Sequence, residues 1–282
     1  MSIADLPTGS AAGSPEQLAA ALHQAHYLAD EPLATAAWLA LKLAKPLLLE
    51  GPPGSGKTAL AQALAQALGR QLIRLQCFEG IELAQAAYDW QHARQLVALQ
   101  AAPPEQREAL AARLFGREFL APRPLLQALE QGAGALLLID EIDRADPPFE
   151  AFLLELLGEW QLSIPELGTV RAEQGAPLVL LTSNRSRELS DALRRRCLFH
   201  WLQRPTPAQE HAILALHLPG LGERLRAQVV DYVQTLRADP RLEHVPGLAE
   251  TLDWARALQA LQVEGWPDAP PLATLGLLRK QP

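Results

Sequence analysis

The feature that most restricts this chain is a short apolar run, Leu47-Leu48-Leu49-Glu50, which meets a glycine-rich loop and then a helix-forming stretch. The loop reads Gly51-Pro52-Pro53-Gly54-Ser55-Gly56-Lys57-Thr58. A buried strand from Pro46 to Glu50 and a helix from Thr58 through Ala59 to Leu68 flank it, which is the setting a phosphate-binding Gly-x4-Gly-Lys-Thr pattern requires. The glycines let consecutive backbone N–H groups point inward around phosphate oxygens. Lys57 places a positive charge on the β/γ oxygens, Thr58 offers a hydroxyl to Mg2+, and the helix adds its positive N-terminal end. Gly69 stands where it should end that helix. A plain Gly/Pro turn with an exposed lysine is the competing reading, and the strand before and helix after disfavour it.

Four more short apolar runs follow: Gln71 to Gln76, Gly134 to Asp140, Pro177 to Thr182 and Leu198 to Trp201. Helical patterns alternate with them at Glu16 to Ala29, Pro32 to Ala44, Phe149 to Trp160 and Glu188 to Arg195. Five strands interleaved with helices predict an α/β fold, with a parallel sheet covered on both faces. Leu162 to Val170 reads as a hairpin, and residues 77–129 as mostly helical with a break at Pro103-Pro104. Beyond Arg204 only helices are expected: Pro207 to Leu216, Leu221 to Leu236, Leu248 to Leu261 and a last one within Leu272 to Lys280. The expected division is a flexible tail over 1–15, a nucleotide-binding core over 16–205 and a helical lid over 206–282.

Composition excludes several classes. With 49% hydrophobic and 20% charged residues, the chain can build a large core and is not of disordered type. The formal charge of -7 argues against a generally basic nucleic-acid surface. Cys77 and Cys197 lie far apart outside any CxxC pattern, so a disulfide framework or zinc site has no support. No apolar run is long enough for a membrane span, and no signal peptide is apparent, so a cytoplasmic location is expected.

Two further strand ends carry candidate chemistry. Leu136-Leu137-Leu138-Ile139 delivers Asp140 and Glu141 to the edge of the sheet where ligands bind in such folds. Asp140 is the candidate to hold Mg2+, chiefly through water, and Glu141 to activate the attacking water. As a lone motif this could equally be a strand and a solvated turn; its pairing with the glycine loop gives it weight. Asn184, after the run 178–182, can reach the γ-phosphate or the lytic water, or simply end its strand in a turn. Arg194-Arg195-Arg196 can be a solvated helix end or can hold an arginine finger; the triplet alone favours the former.

In this order, these elements resemble an AAA+ ATPase, and more narrowly the CoxD-like branch of the MoxR group. The stretches that carry the likeness are Tyr27 to Leu33, Leu47 to Thr58, Leu138-Ile-Asp-Glu-Ile-Asp-Arg144, Phe149 to Leu157, Ile164 to Gly168 and Ala192-Leu-Arg-Arg-Arg-Cys197. The resemblance implies a three-layer αβα P-loop core with a helical lid, ATP and Mg2+ as ligands, and a ring homo-oligomer, usually a hexamer. It places Asn184 as the sensor-1 residue, Arg196 as the finger with Arg195 second, Leu28 and Ala29 at the adenine, and Gln76 as a restraint on Glu141. It also implies a remodelling chaperone working with a von Willebrand factor A-domain protein on a client enzyme, with maturation of a carbon monoxide dehydrogenase as the associated pathway. A nucleic-acid-dependent AAA+ motor is the alternative, disfavoured by the acidic balance. The chain departs from the pattern at the lid helix, where Ala249 or Glu250 stands in place of an expected arginine and Arg256 is the next candidate.

Overall fold

The computed structural model describes residues 13–242 and 245–278. Most of the expected N-terminal tail, and Arg279 and Lys280 of the last expected helix, lie outside these residues. Helix α1 (Pro15–Gln24) starts where Ser14 Oγ accepts the Gln17 N–H at 3.2 Å. It ends earlier than expected, at Gln24 rather than Ala29. The reason is local: His26 takes a left-handed conformation (φ 60°), and the Tyr27 N–H closes back onto the Leu22 carbonyl at 2.9 Å. Tyr27, Leu28 and Ala29 are thereby released into a loop. Asp30 then caps α2 (Glu31–Leu43), accepting the Leu33 N–H at 2.9 Å.

Strand β1 (Leu47–Glu50) leads through the glycine loop into α3 (Lys57–Leu68), which Gly69 closes at φ 62°. Strand β2 (Gln71–Gln76) follows. The stretch expected to be mostly helical is only partly so. Short helices α4 (Leu83–Ala86), α5 (His92–Ala101) and α6 (Arg107–Ala111) are interrupted by β3 (Tyr88–Trp90), which pairs antiparallel with β4 (Leu120–Pro122). Helix α7 (Pro124–Gln131), β5 (Ala135–Asp140) and α8 (Pro147–Glu159) come next, then the hairpin β6 (Gln161–Ile164) and β7 (Gly168–Arg171). Strand β8 (Leu178–Ser183), α9 (Asp191–Arg196, capped by Ser190) and β9 (Leu198–Trp201) follow. Helices α10 (Pro207–His217), α11 (Glu223–Ala238) and α12 (Leu248–Ala260) follow, and a 3-10 helix over Leu272–Leu277 stands where the last helix was expected.

The main sheet has the order β2-β5-β8-β1-β9 and every pairing in it is parallel. Alternation along β5 feeds two cores. Leu136 and Leu138 join Leu18, Leu33, Leu60 and Leu64 on one face, while Leu137 and Ile139 join Leu125, Leu129 and Leu153 on the other. The fold is therefore the expected αβα sandwich, with all of β5 and β8 buried. Four of its strands, β1, β2, β5 and β8, end at the same edge in polar residues.

Helices α10 to α12 share a separate apolar cluster around Leu214, Val229, Val233 and Trp254. A buried polar lock crosses it. Glu210, fully buried, takes two hydrogen bonds of 2.8 Å from Arg237 and one of 2.9 Å from Thr251. Arg237 also donates to the Pro246 carbonyl at 2.9 Å, so the lock reaches the start of α12. Removing one partner strands a buried charge. Glu210→Ala is expected to lower stability by about 3–5 kcal/mol, read as a shift of the unfolding midpoint in denaturant. A loss under about 1 kcal/mol would show the lock to be dispensable.

Candidate active site

The glycine loop is folded around its own lysine. Lys57 Nζ donates to the carbonyls of Gly51 and Pro52 at 2.8 and 2.9 Å. Gly51 must be glycine, because a Cβ there would lie 2.1 Å from the Leu202 carbonyl oxygen. Gly54 and Gly56 hold φ of 73° and 95°, a conformation that turns successive N–H groups to one side. Burial lowers the Lys57 pKa, and the carboxylates of Asp143, Asp140 and Glu141 oppose that shift. Ser55 Oγ is buried with no hydrogen-bond partner in the chain, which suits a loop shaped for phosphate oxygens.

Asp140 is 3% exposed at the end of β5. The Thr182 hydroxyl donates to its Oδ1 at 2.5 Å, and Arg74 Nη2 donates to its Oδ2 at 2.6 Å. Thr58 Oγ1 stands 3.3 Å from both oxygens. Hydroxyl and carboxylate thus converge beside the loop, an all-oxygen set that fits Mg2+ bound next to phosphates. Glu141 sits in the left-handed region (φ 55°, ψ 50°), which turns its side chain out of the strand's line. Its N–H is fixed by Thr182 Oγ1 at 2.9 Å, and its Oε2 accepts from Gln76 Nε2 at 3.1 Å and Arg144 Nη1 at 3.0 Å. A cavity of about 310 Å³ collects the residues from Pro53 to Ala59 together with Asp140, Glu141, Thr182 and Asn184.

The family model for the AAA domain (dynein-related subfamily) matches residues 46–197, more than half of the chain. The chain belongs to this family. It is an AAA+ protein of the P-loop class, and nucleotide binding comes with the family.

Beside the phosphate cavity of this AAA domain lies a second one of about 410 Å³, sharing Ser55, Gly56, Ala59 and Leu248 with it. Leu28 lines it; Ala29 does not, and packs instead against the core. Tyr27, His200 and Trp201 line it too; Tyr27 opens a stretch that carries the family likeness, while nothing in the local sequence marks His200 or Trp201. A Cβ added at Gly56 would lie 3.7 Å from the Tyr27 hydroxyl oxygen, and burial, with help from Asp30, raises the Tyr27 pKa. Burial lowers the pKa of His200, so it carries the neutral imidazole more readily than a free histidine.

Helix α12 closes both cavities. Leu248, Ala249 and Leu252 are its residues in the phosphate cavity. Arg256 is not among them and pairs with Asp253 at 3.0 Å. At the start of α12, Gly247 packs on Gly54 so closely that a Cβ on Gly54 would lie 2.6 Å from the Gly247 Cα. The Leu248 N–H also donates to the Gly54 carbonyl at 3.2 Å.

The three arginines of α9 separate. Arg194 Nη2 holds the buried Glu50 at 2.6 Å, joining α9 to the end of β1. Arg195 and Arg196 are exposed and do not line the phosphate cavity of their own chain. They line a cavity of about 690 Å³ with Leu43, Lys45, Glu155 and Trp160. Asp143, inside the Asp-Glu-Ile-Asp-Arg stretch, emerges as a structural hub. It is buried and its Oδ2 accepts the N–H groups of Asn184 (3.2 Å) and Ser186 (2.8 Å) and the Ser186 hydroxyl (2.7 Å). That fixes the loop bearing Asn184 against the end of β5. The two cysteines take no part: both are free, and burial pushes each thiol up to about 12. Among the described residues no helix is long and apolar enough to cross a membrane.

Proposed function

We propose that this AAA+ protein hydrolyses ATP, and that it does so as a MoxR-type remodelling chaperone. The observation that carries the hydrolytic reading is the placement of Glu141 and Asn184 in one cavity with Lys57 and Thr58. Lys57 and the loop N–H groups hold the β- and γ-phosphates, and Asn184 orients the γ-phosphate or the water beside it. Glu141 takes a proton from that water as its oxygen bonds to the γ-phosphorus and the bond to the ADP oxygen breaks. Thr58 and, through water, Asp140 would hold Mg2+, which would supply positive charge to the phosphates. Leu28 and the cavity beside it take the base. Arg196, with Arg195 beside it, acts on the nucleotide of a neighbouring subunit in a ring, for which a hexamer is the expected form. Its exposure on a face away from its own phosphate cavity supports that reading.

The narrower assignment rests on the stretches that resemble the CoxD-like branch, chiefly Asp140-Glu-Ile-Asp-Arg144 and Leu193-Arg-Arg-Arg-Cys197. The partner is then a von Willebrand factor A-domain protein, and the client a metal-containing enzyme such as a carbon monoxide dehydrogenase. ATPase assays with added partner and with added DNA test this. Turnover is expected to rise with the A-domain protein and stay level with single- or double-stranded DNA. Stimulation by DNA alone would replace the chaperone with a nucleic-acid motor.

A further inference from the structure

Strand β2 brings a second cation to the carboxylate that faces the metal side of the site. Arg74 Nη2 bonds to Asp140 Oδ2 at 2.6 Å and to Gln76 Oε1 at 2.6 Å. Gln76 in turn bonds to Glu141, so one guanidinium is joined to both carboxylates of the acidic pair. The arrangement follows from the strand: Arg74 and Gln76 are two residues apart and share a face, and Gln76 lies in register with Asp140. Asp140 has few acceptor positions to spare. Thr182 takes Oδ1 at 2.5 Å, Arg74 takes Oδ2, and Thr58 lies 3.3 Å from each. Arg74 is half-exposed while Asp140 is almost wholly buried, so the arginine can swing to solvent and the aspartate cannot.

We propose that Arg74 is a displaceable counter-ion that competes with Mg2+ for Asp140. It is a positioning residue and does not line the phosphate cavity. The water through which Asp140 would hold Mg2+ and the guanidinium draw on the same carboxylate, and two cations beside one buried carboxylate repel each other. Metal binding therefore moves Arg74 off Asp140. Because Arg74 also holds Gln76, the same movement loosens the restraint on Glu141. The acidic pair is thus made ready by the arrival of the metal. This rests on the reading of Asp140 as the metal-side carboxylate.

Equilibrium binding of AMP-PNP to the full chain, measured in EDTA and again in excess Mg2+, tests the competition. The ratio of the two dissociation constants reports how much the metal adds. Arg74→Gln removes the charge and is expected to raise that ratio about tenfold through tighter binding with Mg2+ present. Arg74→Lys keeps a cation and is expected to stay within about threefold of wild type. An unchanged or smaller ratio for Arg74→Gln overturns the proposal, as does a ratio that rises only because binding in EDTA weakens. Asp140→Asn separates the two failures. It should bring the ratio close to one, and if it leaves the wild-type ratio intact, the assignment of Asp140 itself is wrong. Retained affinity in EDTA shows that each variant is folded.

Discussion

Glu141→Gln is expected to cut ATP turnover by about 10^2- to 10^4-fold while leaving nucleotide affinity near that of wild type. The amide is nearly the same size, and its oxygen can still accept the Gln76 hydrogen bond that holds Glu141 now at 3.1 Å. What it cannot do is take a proton from water. The backbone needs no change either, since the Glu141 N–H is fixed by Thr182 irrespective of the side chain. Single-turnover hydrolysis and a separate binding titration divide the outcomes. Wild-type turnover would remove Glu141 from the chemistry. Loss of Mg-ATP binding would assign it to the metal and require Asp140 to be reassigned.

Arg196→Ala is expected to lower turnover by about 10^3-fold or more if it acts as a finger, with a smaller effect on ATP affinity. A guanidinium always carries its charge and can bond two phosphate oxygens, which matches charge that builds as the bond breaks. Arg194 is already engaged with Glu50, so Arg195 is the neighbour able to substitute in part, and its alanine variant belongs in the same experiment. The decisive measurement mixes Arg196→Ala subunits with Lys57→Ala subunits, each inactive alone. Activity should return, because a Lys57→Ala subunit still offers its arginine to a neighbour with an intact loop. No return, with subunit exchange demonstrated, would make Arg196 an ordinary arginine at a helix end.

What could be read from the chain was whatever is encoded locally. The glycine loop, its strand and its helix occupy consecutive residues, and the apolar run before Asp140 announces a buried strand by itself. Residues 77–129 were harder for a physical reason. Tyr88–Trp90 and Leu120–Pro122 are three residues each, too short to show a period of two, and each finds its partner some thirty positions away. The end of α1 turned on the left-handed conformation of His26, which is uncommon for any residue but glycine. Pairs across the fold left no local trace, and that of Gln76 with Glu141 came from the family resemblance alone. Glu50 and Arg194 are 144 positions apart, and Arg74 meets Asp140 across 66. Asp143 lay within a stretch already singled out, yet its part depends on Ser186, which only the folding of β8 beside β5 brings within reach.

The backbone contact between Gly54 and Gly247 has a mechanical consequence. Helix α12 starts at that contact, and its 13 residues extend about 20 Å from it. The Glu210 lock ties α12 to α10 and α11, so the three helices turn together rather than flex separately. The phosphate loop is then the short arm of a lever and the helical bundle its long arm. With no side chain at either glycine to act as a cushion, a shift of the loop meets the backbone at the start of α12 directly. The same contact runs in reverse, so that a load applied to the far end of the bundle would press on the loop.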